Sequence, residues 1–340
     1  MGFMMLRIMA NIQIHDVVLF KNNTISCIFS FGNVEKINDM LDHLLLTGLT
    51  GVMATIITSS EEQTLKAIKD IVNKLAKDYY ASSPSEIQTA MKANARVVLS
   101  KEKCGSHQKC YLKDPDINLL KKYQKAAEGM IKVVTVAPEL PGGIAFIKEA
   151  VAMDIKVAIG HSAADYETTA KAVDAGATIA THLFNAMPSL HHREANILTY
   201  ILTNRDVTVE LIGDCQHVCP EMLSFVFNFY ENSQIMLISD SMATTGLADG
   251  EYNYYDTTIV KQGDRCNLKS GGFFGGATTL PQILNILIKK TSLPWGLLGT
   301  VAWRIPSNVY NLRHHETEVF FDSKMNWICS CLDKSTWFTK

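Results

Sequence analysis

The sequence predicts an α/β fold, a TIM-like (β/α)8 barrel, and three observations carry that prediction. Strand-like and helix-like runs alternate from Glu35 to the late 280s. Repeats of roughly 20 to 30 residues of this kind give parallel strands joined by right-handed crossovers. About seven or eight such units favour closure into a barrel over an open sheet. No Gly-x-Gly-x-x-Gly follows an early strand, which speaks against an open dinucleotide-binding sheet. The third observation is positional. His161, His182 and Asp240 each stand at the outgoing end of a short β-branched, apolar run, where a barrel enzyme assembles its site.

The elements follow in order. Ile37, Met40, Leu41, Leu44 and Leu45 have helical spacing within Glu35 to Leu46, and Gly48 can stop that helix. Val52 to Ile57 reads as a buried strand. Ser59 or Ser60, with Glu62 or Gln63 three residues on, makes a capping box for a helix with the apolar stripe Leu65, Ile68, Ile71, Val72 and Leu75. Helix Ile117 to Ala127 precedes strand Ile131 to Val136. Helix Ile144 to Met153 precedes strand Lys156 to Ile159, and helix Tyr166 to Val173, ended at Gly176, precedes the strand that leads to His182. Val207 to Ile212 is a strand leading to Asp214 and His217. Helix Glu221 to Tyr230 precedes the strand leading to Asp240, and a last helix spans about Leu280 to Lys290. Residues 1 to 30 give one or two weak strand signals. Glu318 to Phe321 and Trp327 to Cys331 read as a lone hairpin, which must pack on something to be stable.

Composition narrows the function classes. The chain has 340 residues, 47% apolar and 19% charged, with a net charge of −2. That is material for a large core, and general disorder is not expected. No basic stripe stands out, so nucleic acid is not an expected partner. No run of about 18 apolar residues occurs, so no membrane-spanning helix is expected. Met1 to Met9 is broken by Arg7 and makes a poor signal peptide, and Leu6 stands where myristoylation wants Ser or Thr. The eight cysteines are scattered, with no Cys-x-x-Cys pair. They read as reduced thiols of a cytoplasmic protein. Cys215, His217 and Cys219 fit no structural zinc spacing.

His161 and His182 lie 21 residues apart, each just past a strand. A lone histidine is more often a core residue bonded to backbone. The repeat of the geometry on successive strands favours a shared ligand instead. Two neutral imidazoles suit zinc or iron(II). Asp240 could move a proton at a nearby water, or cap the segment that follows it. His217 could bond a substrate oxygen, and Arg193 could hold an anion such as phosphate through its planar fork. Gly271-Gly-Phe-Phe-Gly-Gly276 precedes a helix, so its backbone could approach a ligand, although glycine content alone more often means a plain loop.

Several strings then become recognisable: Val134-Thr-Val-Ala-Pro-Glu139, Gly160-His161-Ser162, Thr181-His182-Leu-Phe-Asn185-Ala186-Met187, Asp214 through His217, Ser239-Asp240, and Gly246-Leu-Ala-Asp-Gly250-Glu-Tyr. In this order they resemble the N-acetylglucosamine-6-phosphate deacetylase family of the amidohydrolase superfamily, from about Phe31 to Lys290. The resemblance implies hydrolysis of the acetamide of N-acetyl-D-glucosamine 6-phosphate, with one divalent metal ion, zinc or iron. It implies His161 and His182 as metal ligands and Asp240 as the proton carrier. Ser106, His107, Asn185, Ala186, Arg193, Asp214 and His217 fall on substrate contacts. It also implies a small-molecule amino-sugar phosphate as partner and pairing into a homodimer.

The chain departs from that pattern in two places. The family carries a His-Leu-Glu-Gly-Pro-Phe string whose glutamate is the third metal ligand. Here the segment reads Ala93-Asn-Ala-Arg-Val-Val-Leu99, and a gapless count puts Ala95 at the glutamate. Glu139, also just past a strand, is a candidate substitute. The family's opening β-domain and first barrel strand are unmatched in residues 1 to 30. The expected organisation is therefore a divergent segment 1–30, a barrel 31–315 that is incomplete, and a hairpin 316–340 as remnant of a small β-sandwich domain. The alternative function is a catalytically impaired homologue that binds a sugar phosphate or a partner chain.

Overall fold

The computed structural model describes residues 8–9, 13–15, 51–73, 91–242, 244–254, 257–310, 317–321, 327–332 and 336–339. The helix expected over Glu35 to Leu46 lies outside them. Eight parallel strands form one sheet in chain order: β2 (Gln13–His15), β3 (Gly51–Ile56), β4 (Met91–Val98), β5 (Ile131–Val136), β6 (Lys156–Ile159), β7 (Ala177–Ala180), β8 (Thr208–Ile212) and β9 (Ile235–Ile238). Helices α1 (Glu61–Asn73), α2 (Ile117–Ala126), α3 (Gly143–Ala152), α4 (Tyr166–Asp174), α5 (Ile197–Thr203) and α6 (Pro220–Phe229) alternate with them, and α7 (Leu280–Lys290) follows. The expected missing strand is not missing. Gln13–His15 pairs parallel with Gly51–Met53 and supplies the first strand.

The sheet is rolled. Thr58 and Ser59 follow β3, and Asp240 follows β9, yet all three line one cavity. At about 4.8 Å per strand, ends six strands apart on a flat sheet would be about 30 Å distant. Burial agrees. Val157 and Ile159 of β6, and Ile235 and Leu237 of β9, belong to the large core under the helices. The alternate residues Val133, Ala158, Ile179 and Met236 share a second cluster with Ile305 and Tyr310 on the sheet's other face. Tyr310 also donates its hydroxyl to Glu210 Oε1 on β8, at 3.1 Å. Side chains buried on both faces are what a barrel interior requires. A pairing between β9 and β2 is not among those described.

Helix starts follow local chemistry. Ser60 and Gln63 form the capping box ahead of α1, each side chain meeting the other's backbone N–H at 3.2 Å. Asp116 and Asp165 accept first-turn N–H groups of α2 and α4. Thr279 and Gln282 box the start of α7.

Two further sheets were only partly foreseen. A four-stranded antiparallel sheet of β10 (Gly250–Tyr254), β11 (Thr257–Gln262), β12 (Arg265–Leu268) and β13 (Phe273–Gly276) is inserted between β9 and α7. The expected lone hairpin is β14 (Thr317–Phe321) and β15 (Trp327–Leu332), but it is not alone. β16 (Thr336–Thr339) pairs on one side and β1 (Ile8–Met9) on the other. Residues 8–9 and 13–15 thus pair with two different sheets.

The helix α7 packs closely on β8. A side chain at Gly213 would stand 2.7 Å from Leu237, 2.9 Å from Ile283 and 3.0 Å from Leu287. Ile283 is fully buried there. Ile283→Ala is expected to lower stability by about 3 kcal/mol through lost transfer energy and a residual cavity. The check is urea unfolding, with a lower midpoint and an unchanged slope.

Candidate active site

One cavity of about 370 Å³ opens at the carboxyl ends of the strands. Its wall takes residues from the segments after β3, β4, β6, β7, β8 and β9, together with Thr257, Leu268 and the Gly271–Gly275 stretch of the inserted sheet. His161, His182 and Asp240 all reach it, so the three strand ends singled out in sequence do converge. All three have positive φ, at 48°, 29° and 45°. Left-handed backbone costs an L-residue about 1–2 kcal/mol, and such strain gathers at functional sites. Here it turns each side chain off its strand and into the mouth.

The two imidazoles face each other through like atoms. Nε2 of His161 lies 2.9 Å from Nε2 of His182. The rings are nearly perpendicular, with centroids 4.6 Å apart, and both are buried. Nδ1 of His161 lies 3.0 Å from the carbonyl oxygen of Lys103. A carbonyl can only accept, so Nδ1 carries the proton and Nε2 keeps a lone pair. His107 meets the His161 ring edge-on at 4.9 Å. Two convergent imidazole nitrogens, one with its tautomer fixed from behind, form a fitting pair of donors for zinc or iron(II). No group of three His, Cys, Asp or Glu side chains placed to hold a metal occurs among the described residues. The further ligand positions would fall to water or substrate.

The segment after β8 builds a second device. Asp214 is buried and accepts the backbone N–H groups of Gln216 at 2.8 Å and His217 at 2.9 Å. The same carboxylate takes the Nδ1–H of His217 at 2.7 Å. That leaves Nε2 as the working end of the His217 ring, which lines the cavity. Burial pushes the Asp214 carboxyl up, but the His217 hydrogen bond and charge, with the two backbone N–H groups, outweigh it and hold it below the usual carboxylate value. Burial pushes the His217 imidazole down, but the bond and charge of Asp214, with the charge of Asp240, leave it above its ordinary value. Phe273 covers the ring, with centroids 4.7 Å apart.

Of the remaining sequence-derived residues, Ser106, His107, Asn185 and Ala186 line the cavity. Asp214 does not. Its carboxylate is engaged by the His217 ring and by the backbone N–H groups of Gln216 and His217. Arg193 is also absent from the wall; it is exposed, with its guanidinium 2.8 Å from His192 Nε2. Glu139 is not a free ligand either. Both its oxygens are engaged, by the Ser162 hydroxyl and the Ala163 N–H, each at 2.7 Å. Ala95 pairs in register with Val134, and Val134 with Val157, four residues before His161. At the mouth that strand's extension has reached Ser100, whose N–H bonds to the His161 carbonyl at 3.0 Å. The gapless count therefore sets the vacancy below the rim. Sequence reasoning missed Thr58, Met242, Thr257 and Leu268, which carry no motif. The glycine run, whose composition favours a plain loop, forms part of the wall.

Comparison with known proteins returns the resemblance read from the motifs. No family model matches the chain. N-acetylglucosamine-6-phosphate deacetylase of Bacillus subtilis is 29% identical over 258 residues, 75% of this chain and 64% of the relative. N-acetylgalactosamine-6-phosphate deacetylase of Escherichia coli O157:H7 is 30% identical over 189 residues, 56% of this chain and 50% of the relative. The crystal structure of N-acetylglucosamine-6-phosphate deacetylase from Thermotoga maritima superposes with a TM-score of 0.80 at 25% identity, covering 98% of this chain and 89% of that chain. The matched stretches span less than two thirds of either curated relative.

The Asp214–His217 pair has a pH signature. The share of Asp214 is present above the ordinary carboxylate value, about 4, and is lost as pH falls through its lowered folded value. The share of His217 is complete below the ordinary imidazole value, about 6.5, and is lost as pH rises through its raised folded value. The pair therefore contributes fully between about pH 4 and 6.5. Asp214→Asn is expected to flatten the fall in stability on the alkaline side. Urea midpoints at pH 5.5 and 8.5 check this, and equal drops in both proteins would contradict it.

Proposed function

We propose that this chain hydrolyses the acetamide of N-acetyl-D-glucosamine 6-phosphate to glucosamine 6-phosphate and acetate, as a cytoplasmic enzyme of amino-sugar catabolism. The observation that carries this reading is the meeting, in one cavity, of the His161–His182 pair, an Asp214-oriented His217 and Asp240. The names of the relatives supply the substrate class. The order of the motifs favours the gluco isomer, and the galacto isomer serves as the comparison substrate.

His161 and His182 would hold the divalent cation, zinc or iron(II), which when bound acts as a Lewis acid and acidifies water. The rest of the chemistry belongs to the chain's own groups. His217 donates its Nε2–H to the acetamide oxygen as the carbonyl carbon becomes tetrahedral and negative charge gathers on that oxygen. Because Asp214 already takes the Nδ1–H, the ring that donates from Nε2 is the imidazolium, and the Asp214 carboxylate fixes its orientation and steadies its charge. Asp240 takes a proton from the attacking water and delivers it to the nitrogen as the C–N bond breaks. The water oxygen ends in acetate, and the amine leaves protonated. Glycine backbone at Gly271, Gly272 and Gly275 and the ring of Phe273 close one side of the cavity. The resemblance also implies that two copies pair, which sedimentation velocity would show.

Acetate release by the purified chain, supplied with zinc or iron(II), tests the reading. Turnover of the gluco substrate is expected, and a chelator should abolish it. Asp240→Asn is expected to cost about 10²–10⁴ in kcat and His217→Ala about 10²–10³. A folded, metal-supplied protein that releases no acetate from either isomer would overturn the reading and favour a binding role.

A further inference from the structure

The carboxylate of Glu139 has no part in the mechanism above, yet it is one of the most firmly held groups near the site. It stands on the turn after β5, beyond Ala137 and Pro138. That turn is stiff. Ala137 N–H bonds to the Val98 carbonyl at 2.8 Å, and Gly143 packs so closely that a Cβ there would stand 2.6 Å from the Pro138 oxygen. From this base Glu139 reaches across to the neighbouring strand's loop. Its Oε2 accepts the Ser162 hydroxyl and its Oε1 the Ala163 N–H, each at 2.7 Å. Hydrogen bonds to an ionised carboxylate at this length are the stronger kind.

The loop it grips is the one that carries His161. Ser162 follows the left-handed His161 directly. Its hydroxyl oxygen accepts Ala164 N–H at 3.0 Å, and its own N–H donates to the Ala186 carbonyl at 3.2 Å. Ala186 is itself left-handed, with φ of 51°, and lies four residues after His182. One carboxylate therefore ties the His161 loop to the β5 turn and, through Ser162, to the His182 loop. A strained turn keeps its shape only when its surroundings over-determine it.

We propose that Glu139 is a positioning residue: by clamping Ser162 and Ala163 it sets the facing of the two imidazole Nε2 atoms, and so the affinity of the site for a divalent cation. The proposal rests on the metal reading of the histidine pair. It also separates Glu139 from a role as third ligand, because a ligand would act on the metal without Ser162.

The test is cobalt(II) titration of the full chain, followed by the visible absorption of the bound ion. Glu139→Ala is expected to weaken binding by about 10- to 100-fold, the usual effect of removing a group that orients a ligand. Ser162→Ala should weaken it in the same direction. The double variant should bind no worse than Glu139→Ala, and Glu139→Gln, which can still accept from Ala163 N–H, should recover part of the affinity. Wild-type affinity in Glu139→Ala would overturn the proposal. So would losses that simply add in the double variant, or an unaffected Ser162→Ala. Hydrogen exchange keeps the question open to refutation if the wild type takes up no cobalt. That result sinks the metal reading, and the clamp is then judged on the amides of Ser162, Ala163 and Ala164. Faster exchange there in Glu139→Ala, with near-UV circular dichroism unchanged, supports the clamp; unchanged exchange overturns it.

Discussion

The structure depends on one constraint: two buried imidazoles must face each other across less than 3 Å from the ends of neighbouring strands. Neither ring could be held there by its strand alone. Parallel pairing sets the spacing of β6 and β7, but the side chain direction comes from the left-handed turn at each histidine. Those turns are unfavourable in isolation. The turn at His161 is kept by contacts from neighbouring segments: the Lys103 carbonyl behind His161, the Ser100 N–H on its carbonyl, and the Glu139 carboxylate on the next two residues. The site is thus a product of the whole rim and not of any one loop.

The rolled sheet makes that rim available. A flat sheet would leave Ser59 and Asp240 far apart and give no enclosed volume. Rolling buries residues on both faces of the strands, which is why β9, Ile-Met-Leu-Ile, reads as a continuous apolar run and not as an alternating one. The same geometry gathers the strand ends that hold Asp214 and Asp240. Burial at the mouth then sharpens the electrostatics. Asp214 is affordable inside the protein because it takes three hydrogen bonds, one from the ring it orients.

Legibility in the sequence follows the strength of local patterning. Strands Ile131–Val136 and Lys156–Ile159 and helix Leu280–Lys290 have the boundaries read from periodicity, because dense β-branched runs and a capped amphipathic stripe leave little choice. β4 was read only as a vacant motif. Met91, Ala93 and Ala95 do alternate with Lys92, Asn94 and Arg96, but alanine gives period two a weak apolar signal. The first strand of the parallel sheet is only Gln13–His15, too short for any pattern to announce. The inserted sheet carries turn glycines and β-formers, yet its place beside the cavity is a tertiary fact. For the site, positions just past strands were readable and roles were not. No motif shows that the Asp214 carboxylate holds His217. Nor does any show that both Glu139 oxygens are engaged, by Ser162 and Ala163. Arg193 suits an anion by its chemistry, but an arginine standing alone is more often a surface residue, and it is exposed.

X-ray absorption at the zinc edge of the zinc-loaded chain reads the ligands of the histidine pair themselves. One zinc per chain is expected, with a shell containing imidazole nitrogen at about 2.0–2.1 Å, and that shell should be lost in both His161→Ala and His182→Ala. Zinc retained with an unchanged shell in either variant, or no zinc held by the folded wild type, would contradict this.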